Sequence, residues 1–188
     1  MKVIVISGKA GHGKDTAAGF LKEELEKYGG HVMVTHFSDL LKYICKSYCG
    51  WNGEKDDAGR RLLQYIGTDV IRKQDPNFWA DFIASISRFF NKFWDYMIIP
   101  DCRFPNEVDR LKECGLDVQH IRVVRDGYEG VLTSLQKEHP SETALDDVTP
   151  DYILKNDGSL DNLQEQIHKY LDDMITPYFQ ITMDDILN

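Results

Sequence analysis

The stretch GKAGHGKDT, residues 8–16, decides the fold of this chain. It follows a short apolar run at 3–6 that is made of β-branched residues and is typical of a buried parallel strand. It opens a segment at 15–28 in which apolar residues recur at helical spacing. A glycine-rich turn between a strand and a helix N-terminus presents backbone N–H groups to an anion. The pattern therefore predicts a phosphate-binding loop, and the alternative is a glycine turn in which Asp15 merely caps the helix.

The residues of this loop have separate predicted tasks. We expect Lys14 to reach the β- and γ-phosphates of a nucleoside triphosphate and to offset their charge. Loops of this kind usually carry Ser or Thr directly after the lysine, whereas here Asp15 holds that place and Thr16 follows. A carboxylate is a hard oxygen ligand, so Asp15 is predicted to bind Mg²⁺ directly or through water, and Thr16 to bond an α-phosphate oxygen. The predicted ATP-binding residues of the loop are Gly8, Gly11, His12, Gly13, Lys14, Asp15 and Thr16.

Composition excludes several classes of protein. The 188 residues favour one domain spanning 1–188, and a hydrophobic content of 42% is that of an ordinary globular protein. A net charge of −9 without a basic run disfavours a nucleic-acid polymer as partner. The four cysteines form no CxxC pair, which favours reduced thiols over zinc or disulfides. No run of 18 apolar residues occurs, so we expect no membrane partner and a cytoplasmic location.

Strand and helix patterns alternate along the rest of the chain. Further strands are predicted at 32–37, 96–99, 118–124 and 152–154. Pro100 is predicted to end the third strand of the chain. Ser38 is predicted to be the N-cap of the helix that follows the second strand. The segment 126–147 has no clean period and many polar residues, which indicates a mobile insertion. This alternation predicts an α/β fold in which a five-stranded parallel sheet is covered by helices on both faces.

Four blocks of sequence resemble the bacteriophage-type deoxynucleoside monophosphate kinases. They are the GxxxxGKDT loop, RLLQYIGTD at 61–69, PDCR at 100–103 and NDGSL at 156–160, and they occur in family order. The resemblance implies a three-layer P-loop nucleoside monophosphate kinase-like fold with a helical acceptor-binding region at about 38–92 and a lid at about 126–147. It also implies ATP as phosphoryl donor, Mg²⁺ as cofactor and a small phosphorylated acceptor. Asn156 and Gly158 resemble the turn that cradles adenine, although Asn-Asp-Gly is also a routine turn.

Other functions stay open at this point. The sequence is also similar to the animal-type phosphomevalonate kinases in its GKD loop and its strand-end D-x-R. The stretch SETALD at 141–146 resembles a lid element of those kinases, so phosphomevalonate is a rival acceptor. The GTD and NDGSL blocks favour a nucleotide. A nucleotide-hydrolysing switch without an acceptor is a further alternative, but residues 155–158 read KNDG and not NKxD. A DNA-packaging ATPase is disfavoured by the acidic charge, and a homodimer is left open.

The predicted catalytic residues are Lys14, Asp101, Arg103 and Arg125. Asp101 ends an apolar strand, where α/β sheets place ligand-binding groups, and is predicted to hold Mg²⁺ through water or to orient the acceptor; its alternative is a cap on the following helix. Arg103 can bind an acceptor phosphate with two parallel bonds, or form only a surface salt bridge. Arg125 opens the insertion and is expected to swing onto the phosphates.

The acceptor site is predicted mainly on a helix at 58–73. Arg61, Gln64, Thr68 and Arg72 follow one another at spacings of three, four and four, which places them on one stripe that is either a binding surface or a solvated face. Trp79 is expected to stack on a base or to pack in the core. The predicted substrate-binding residues are Asp39, Lys42, Arg61, Gln64, Thr68, Asp69, Arg72, Trp79 and Glu142.

Overall fold

A parallel sheet of five strands forms the centre of the protein. The computed structural model describes the backbone of residues 1–128, 130 and 132–186, and the side chains of these residues except 134, 135 and 175–186. Positions 129 and 131 of the predicted lid therefore lie outside the described residues. The strands are β1 (Lys2–Ser7), β2 (Val32–Val34), β3 (Tyr96–Cys102), β4 (Asp117–Val124) and β5 (Tyr152–Lys155), in the order β2-β3-β1-β4-β5. All four strand pairings are parallel, which confirms the predicted sheet.

Helices cover both faces of this sheet. They are α1 (Lys14–Lys27), α2 (Ser38–Tyr48), α3 (Asp57–Gln64), a π-helix (Tyr65–Arg72), α4 (Phe78–Phe90), α5 (Pro105–Glu113), α6 (Ser134–Lys137), α7 (Pro140–Thr143) and α8 (Leu160–Ile186). Strand β1 supplies both cores because successive side chains point to opposite faces of the sheet. Val3 and Val5 pack with α2, α4 and α5, whereas Ile4 and Ile6 pack with α1 and α8. The three-layer α/β arrangement follows from this alternation.

Strand β3 is longer than its sequence pattern indicates. The predicted strand ended at Pro100, but β3 continues through this proline to Cys102. Its pairing with β1 shifts register, since Val5 pairs with Ile99 and Ser7 pairs with Cys102. Such a bulge leaves room for a residue that lacks a backbone N–H. The extra length carries Asp101 to the carboxyl edge of the sheet. Strand β2, in contrast, ends at Val34, before the predicted end at 37.

The predicted helix at 58–73 is two different helices in the structure. An α-helix runs to Gln64 and a π-helix follows from Tyr65 to Arg72. A π-helix closes its hydrogen bonds from residue i to residue i+5, so spacings of three and four no longer keep residues on one stripe. Trp79 donates its indole N–H to the Gly67 carbonyl at 3.1 Å and thereby ties α4 to the π-helix. The stripe from Arg61 to Arg72 is therefore not continuous.

The insertion between β4 and β5 packs against the sheet. It contains α6 and α7, and Leu145 is buried in the core cluster that includes Val3 and Val5. Arg122 donates to the carbonyl oxygens of Leu145 and Val148 at 2.6 and 2.7 Å. These contacts fix the end of the insertion beside β4. Among the helices in the described part of the chain, none is long and apolar enough to cross a membrane.

Candidate active site

The loop that follows β1 depends on glycine for its backbone shape. Gly8, Gly11 and Gly13 have φ values of +147°, +79° and +96°, a region that favours glycine. A Cβ atom at Gly8 would lie 2.4 Å from the carbonyl oxygen of Val123, and a Cβ atom at Gly13 would lie 2.6 Å from Nδ2 of Asn156. The loop thus closes tightly on β4 and on the turn after β5. This is the backbone arrangement that a phosphate-binding loop requires.

Lys14 places its ammonium group inside this loop. The residue is 9% exposed, and its Nζ donates to the carbonyl oxygens of Gly8 at 2.8 Å and Lys9 at 3.0 Å. Burial, together with the nearby Arg103 guanidinium, lowers the pKa of Lys14 to about 8. A buried ammonium whose hydrogen bonds go to carbonyl oxygens at a helix N-terminus favours a negative ligand, because an anion would restore the stability of its charged form.

The turn at 156–158 lies against the same loop. Asn156 donates from Nδ2 to the His12 carbonyl at 2.9 Å and accepts a hydrogen bond from the Gly158 N–H at 3.0 Å. The Arg125 N–H donates to Nδ1 of His12 at 3.1 Å. Burial lowers the pKa of His12, which favours the neutral ring that accepts this bond. The two segments that carry the predicted ATP-binding residues, 8–16 and 156–158, are therefore neighbours in the structure, with Arg125 beside them.

Asp15 stands at the open side of the loop beside a residue that the sequence analysis missed. Its side chain is 86% exposed, and its Oδ1 lies 3.6 Å from Nε2 of His36. This contact lowers the pKa of Asp15 and raises the pKa of His36. The backbone N–H of His36 donates to Asp39 at 2.9 Å, and Lys42 donates to the same carboxylate at 3.0 Å. His36 therefore connects the loop to α2. Its position after the second apolar run is the sequence feature that could have identified it as a site residue.

Asp101 uses both carboxylate oxygens to hold the start of α2. Its Oδ1 accepts from the Phe37 N–H at 2.8 Å and its Oδ2 accepts from the Ser38 N–H at 3.0 Å. Ser38 is the first residue of α2 and not its N-cap, so the predicted cap is wrong and Asp101 satisfies these N–H groups instead. The alternative prediction was that Asp101 caps the helix that follows it in the sequence. In the structure it caps α2, which comes much earlier in the chain. Asp101 thus fixes α2 to the sheet edge.

The residues at this edge fit Mg²⁺ that arrives with a phosphate. In the part of the chain that the structure describes, no group of three or more His, Cys, Asp and Glu side chains is placed to hold a metal ion. Mg²⁺ usually keeps several waters and takes one or two carboxylates together with substrate phosphates. The exposed carboxylate of Asp15 next to the glycine loop meets this requirement. Asp101, which is already hydrogen-bonded, would act through water.

Arg103 directly follows β3 and contacts the predicted lid. Its guanidinium pairs with Oε1 of Glu142 at 2.6 Å. Lys9 donates to the Glu142 carbonyl at 2.6 Å and also contacts the Asp146 carboxylate. A cavity of about 280 Å³ lies here, and its lining includes Ser7, Gly8, Lys9, Arg103, Glu142 and Asp146. The lid segment and the phosphate-binding loop therefore meet through charged groups.

Arg125 lies near the turn at 156–158. Its guanidinium carbon lies 4.5 Å from the centre of the Tyr128 ring, which is a cation–π contact. A Cβ atom at Gly158 would lie 3.8 Å from Nη2 of Arg125. Arg125 thus lies beside Tyr128 and Gly158, and a catalytic role for Arg125 stays a prediction.

Several predicted acceptor residues are engaged elsewhere. Arg72 pairs with the buried Glu107 at 2.5 Å and lies 3.9 Å from the centre of the Phe104 ring. Trp79 is buried in the core, which is the alternative to stacking on a base. Asp69 lies 3.7 Å from Lys73 and makes no ion pair with an arginine among the described residues. Arg61 is exposed, and Gln64 and Thr68 are half-buried, so their roles stay predictions.

Comparison with known proteins identifies the family. The family model "Deoxynucleotide monophosphate kinase" matches residues 30–167. The chain belongs to the deoxynucleotide monophosphate kinase family. A protein of Acanthamoeba polyphaga mimivirus named as a deoxynucleotide monophosphate kinase is 30% identical over 199 residues, covering 92% of this chain and 97% of the relative. This membership makes the protein a phosphotransferase that acts on nucleotides.

Two further comparisons concern a longer phage enzyme of the same family and a solved structure with a similar fold. The deoxynucleotide monophosphate kinase of Enterobacteria phage T4 is 35% identical over 122 residues, which are 64% of this chain and 48% of the phage enzyme. The chain thus spans about half the length of the phage enzyme. A sugar kinase from Janibacter sp. HTCC2649 aligns over 92% of this chain and 95% of its own, with a TM-score of 0.55 and 16% identity. That likeness shows the fold alone.

Proposed function

We propose that this protein transfers the terminal phosphoryl group of ATP to a deoxynucleoside monophosphate, with Mg²⁺, and so forms the diphosphate. The observation that carries the proposal is the ammonium group of Lys14, buried inside a glycine-dependent loop at the N-terminus of α1. Such a group is suited to a polyphosphate because it supplies positive charge where charge accumulates during transfer. Membership of the kinase family supports the monophosphate as acceptor.

The donor would lie along the loop, with its base near the turn at 156–158. Asp15 would hold Mg²⁺, which would supply positive charge that offsets the charge of the phosphates. Lys14 would stabilise the γ-phosphoryl group from the opposite side. The acceptor's phosphate oxygen attacks the γ-phosphorus in line, a new P–O bond forms, and the bond to the β-phosphate oxygen breaks to leave ADP. Catalysis is then positioning and charge neutralisation, without a strong base.

The acceptor would bind between β3 and α2. Arg103 at the end of β3 offers a planar guanidinium that can grip a phosphate with two parallel bonds. Asp39 and Lys42, which pair at the start of α2, stand on the same edge as Asp101. The lid would exclude water once both substrates are present, which suppresses hydrolysis. The cytoplasmic location expected from the sequence stays a prediction.

The decisive experiment measures acceptor-dependent release of ADP. Protein, ATP and Mg²⁺ are mixed with each of the four deoxynucleoside monophosphates or with phosphomevalonate, and products are identified by mass. We expect ADP and a deoxynucleoside diphosphate in equal amounts, and loss of both when a chelator removes Mg²⁺. ADP released equally without acceptor would instead support the hydrolysing switch, and turnover with phosphomevalonate alone would support the rival acceptor.

A further inference from the structure

Two carboxylates of the lid segment hold the cations beside the phosphate-binding loop. Glu142 pairs with Arg103 at 2.6 Å, and Asp146 contacts the ammonium group of Lys9. The Glu142 carbonyl also accepts a hydrogen bond from Lys9 at 2.6 Å. We call Glu142 and Asp146 the acidic latch. The latch neutralises two positive groups that would otherwise attract a phosphate.

The position of Glu142 is unusual for a carboxylate. Its side chain is only 8% exposed, and its Oε2 is buried without a hydrogen-bond partner among the described residues. A buried carboxylate oxygen without a donor is unfavourable, so attraction to the guanidinium of Arg103 must keep the side chain there. Glu142 lines both the cavity of about 280 Å³ and a second cavity of about 220 Å³ beside the loop. The carboxylate therefore faces the space that an anionic ligand would enter.

Lys14 is close enough to Arg103 and Glu142 for their charges to change its pKa. Arg103 lowers the pKa of Lys14 and Glu142 raises it, which means that the charges of all three residues act on one small volume. A phosphate bound by Arg103 would stand where Glu142 stands now. Two anions sharing one site repel each other, so one of them has to leave. The ligand and the lid carboxylate are thus alternatives at Arg103.

We propose that the acidic latch is an internal anion that competes with substrate phosphates for Arg103 and Lys9, an inference that rests on the proposed kinase function. A phosphorylated acceptor displaces Glu142 because its dianionic phosphate binds the guanidinium more strongly than a single carboxylate. Water and an unphosphorylated nucleoside carry no such charge and leave the latch in place. Glu142 is therefore a specificity-determining residue, since it makes Arg103 available only to an acceptor with a phosphate group.

The test compares charge-neutral variants of the latch with matched controls. Glu142→Gln and Asp146→Asn each remove one carboxylate charge with little change in size. Glu138→Gln and Asp147→Asn remove the same charge from exposed residues of the same segment. Binding of inorganic tripolyphosphate is measured by titration calorimetry without nucleotide or turnover. We expect Glu142→Gln to raise the affinity about threefold to tenfold, the range for one partly buried ion pair, while both controls stay within about twofold of the parent.

Unchanged or weaker binding by Glu142→Gln would overturn the proposal, because a residue that contacts the ligand would lose affinity on neutralisation. If circular dichroism shows that Glu142→Gln does not fold, the comparison of Asp146→Asn with Asp147→Asn decides, since both positions are exposed. Equal affinities in that pair would also overturn it. The titration needs no acceptor chemistry, so failure of the kinase assay and failure of the latch are separate results.

Discussion

Lys14 is the residue on which transfer should depend most directly. Lys14→Ala removes the ammonium group that faces the phosphates, so we expect kcat/KM to fall by roughly 10² to 10³. The fold should survive, because the lysine amine donates to the carbonyl oxygens of Gly8 and Lys9, which water can solvate after truncation. Turnover and thermal melting are measured together, with Lys22→Ala on the same helix as control. Near-normal turnover in Lys14→Ala would refute the assignment of the loop.

Arg72 is predicted to matter for stability. Its guanidinium is 11% exposed and neutralises the carboxylate of Glu107, a buried residue of α5. Arg72→Ala leaves this carboxylate without its cation, and breaking a buried pair in this way costs about 3 kcal/mol. Urea unfolding measures the loss, and Lys73→Ala at the exposed neighbouring position should change stability by less than about 0.5 kcal/mol. A stable Arg72→Ala variant with a raised acceptor KM would return Arg72 to the acceptor site.

The sequence predicts a residue's role well where the partners are its neighbours along the chain. The glycines of the loop, Lys14 and Asp15 act within nine consecutive residues, and their pattern was sufficient to place them. Arg72 has its partner, Glu107, on α5, and Asp15 has its partner, His36, in the segment between β2 and α2. Residue type and periodicity do not encode such tertiary partners. Substrate-binding and structural arginines therefore look alike in a sequence.

At the scale of elements, the junction of β1 and α1 tolerates only glycine at its first position. Gly8→Ala places a methyl group 2.4 Å from the Val123 backbone oxygen at a φ of +147°, so β4 or the loop would have to move. We expect a loss of more than 2 kcal/mol in stability and most of the nucleotide binding. Gly19→Ala, in the middle of α1 with open space around it, should instead stabilise by about 0.5–1 kcal/mol. Chemical unfolding of both variants measures the contrast, and equal effects would contradict it.

Two elements show where periodicity stops being informative. A helical pattern continues across 58–73, yet the chain changes to a π-helix after Gln64. An α-helix and a short π-helix differ little in the spacing of their apolar residues. A segment of this length therefore does not distinguish the two types of helix. Pro100 likewise predicts the end of a strand, but a register shift opposite β1 accommodates it. In both elements the neighbouring strand or helix determines the local geometry, and this information is absent from the segment itself.

At the scale of the whole molecule, the parallel sheet gathers the site from four segments. The glycine loop, the end of β3, the end of β4 and the turn after β5 all lie at the carboxyl edge of the sheet, where α/β folds bind ligands. Alternation of strands and helices was sufficient to predict this convergence. The contact of Glu142 with Arg103 was not predictable, because the segment 126–147 has no periodic pattern and the position of Glu142 depends on charge pairing across the fold.

A buried histidine links the two central strands just before the loop and should make the stability of the whole molecule depend on pH. His120 on β4 lies 2.7 Å from the Ser7 hydroxyl on β1, through its Nε2. Burial, and then the charge of Arg122, lowers the pKa of His120 to about 4. In the unfolded chain the His120 ring has an ordinary pKa near 6.5, so it binds a proton more readily there than in the folded protein. His120 therefore contributes stability that is fully present above about pH 6.5 and is lost as the pH falls towards 4.

The measurement compares the free energy of unfolding of the parent and of His120→Gln from pH 7.5 to 4. Glutamine can still donate to the Ser7 hydroxyl but takes up no proton, so its curve should lack the loss that His120 causes, on the order of 3 kcal/mol at most. Carboxylates titrate equally in both proteins and cancel in the difference. His31→Gln, at an exposed position, serves as the control. Parallel curves for parent and His120→Gln would mean that His120 is protonated in the folded protein, which its contact with Ser7 and its burial between the strands argue against.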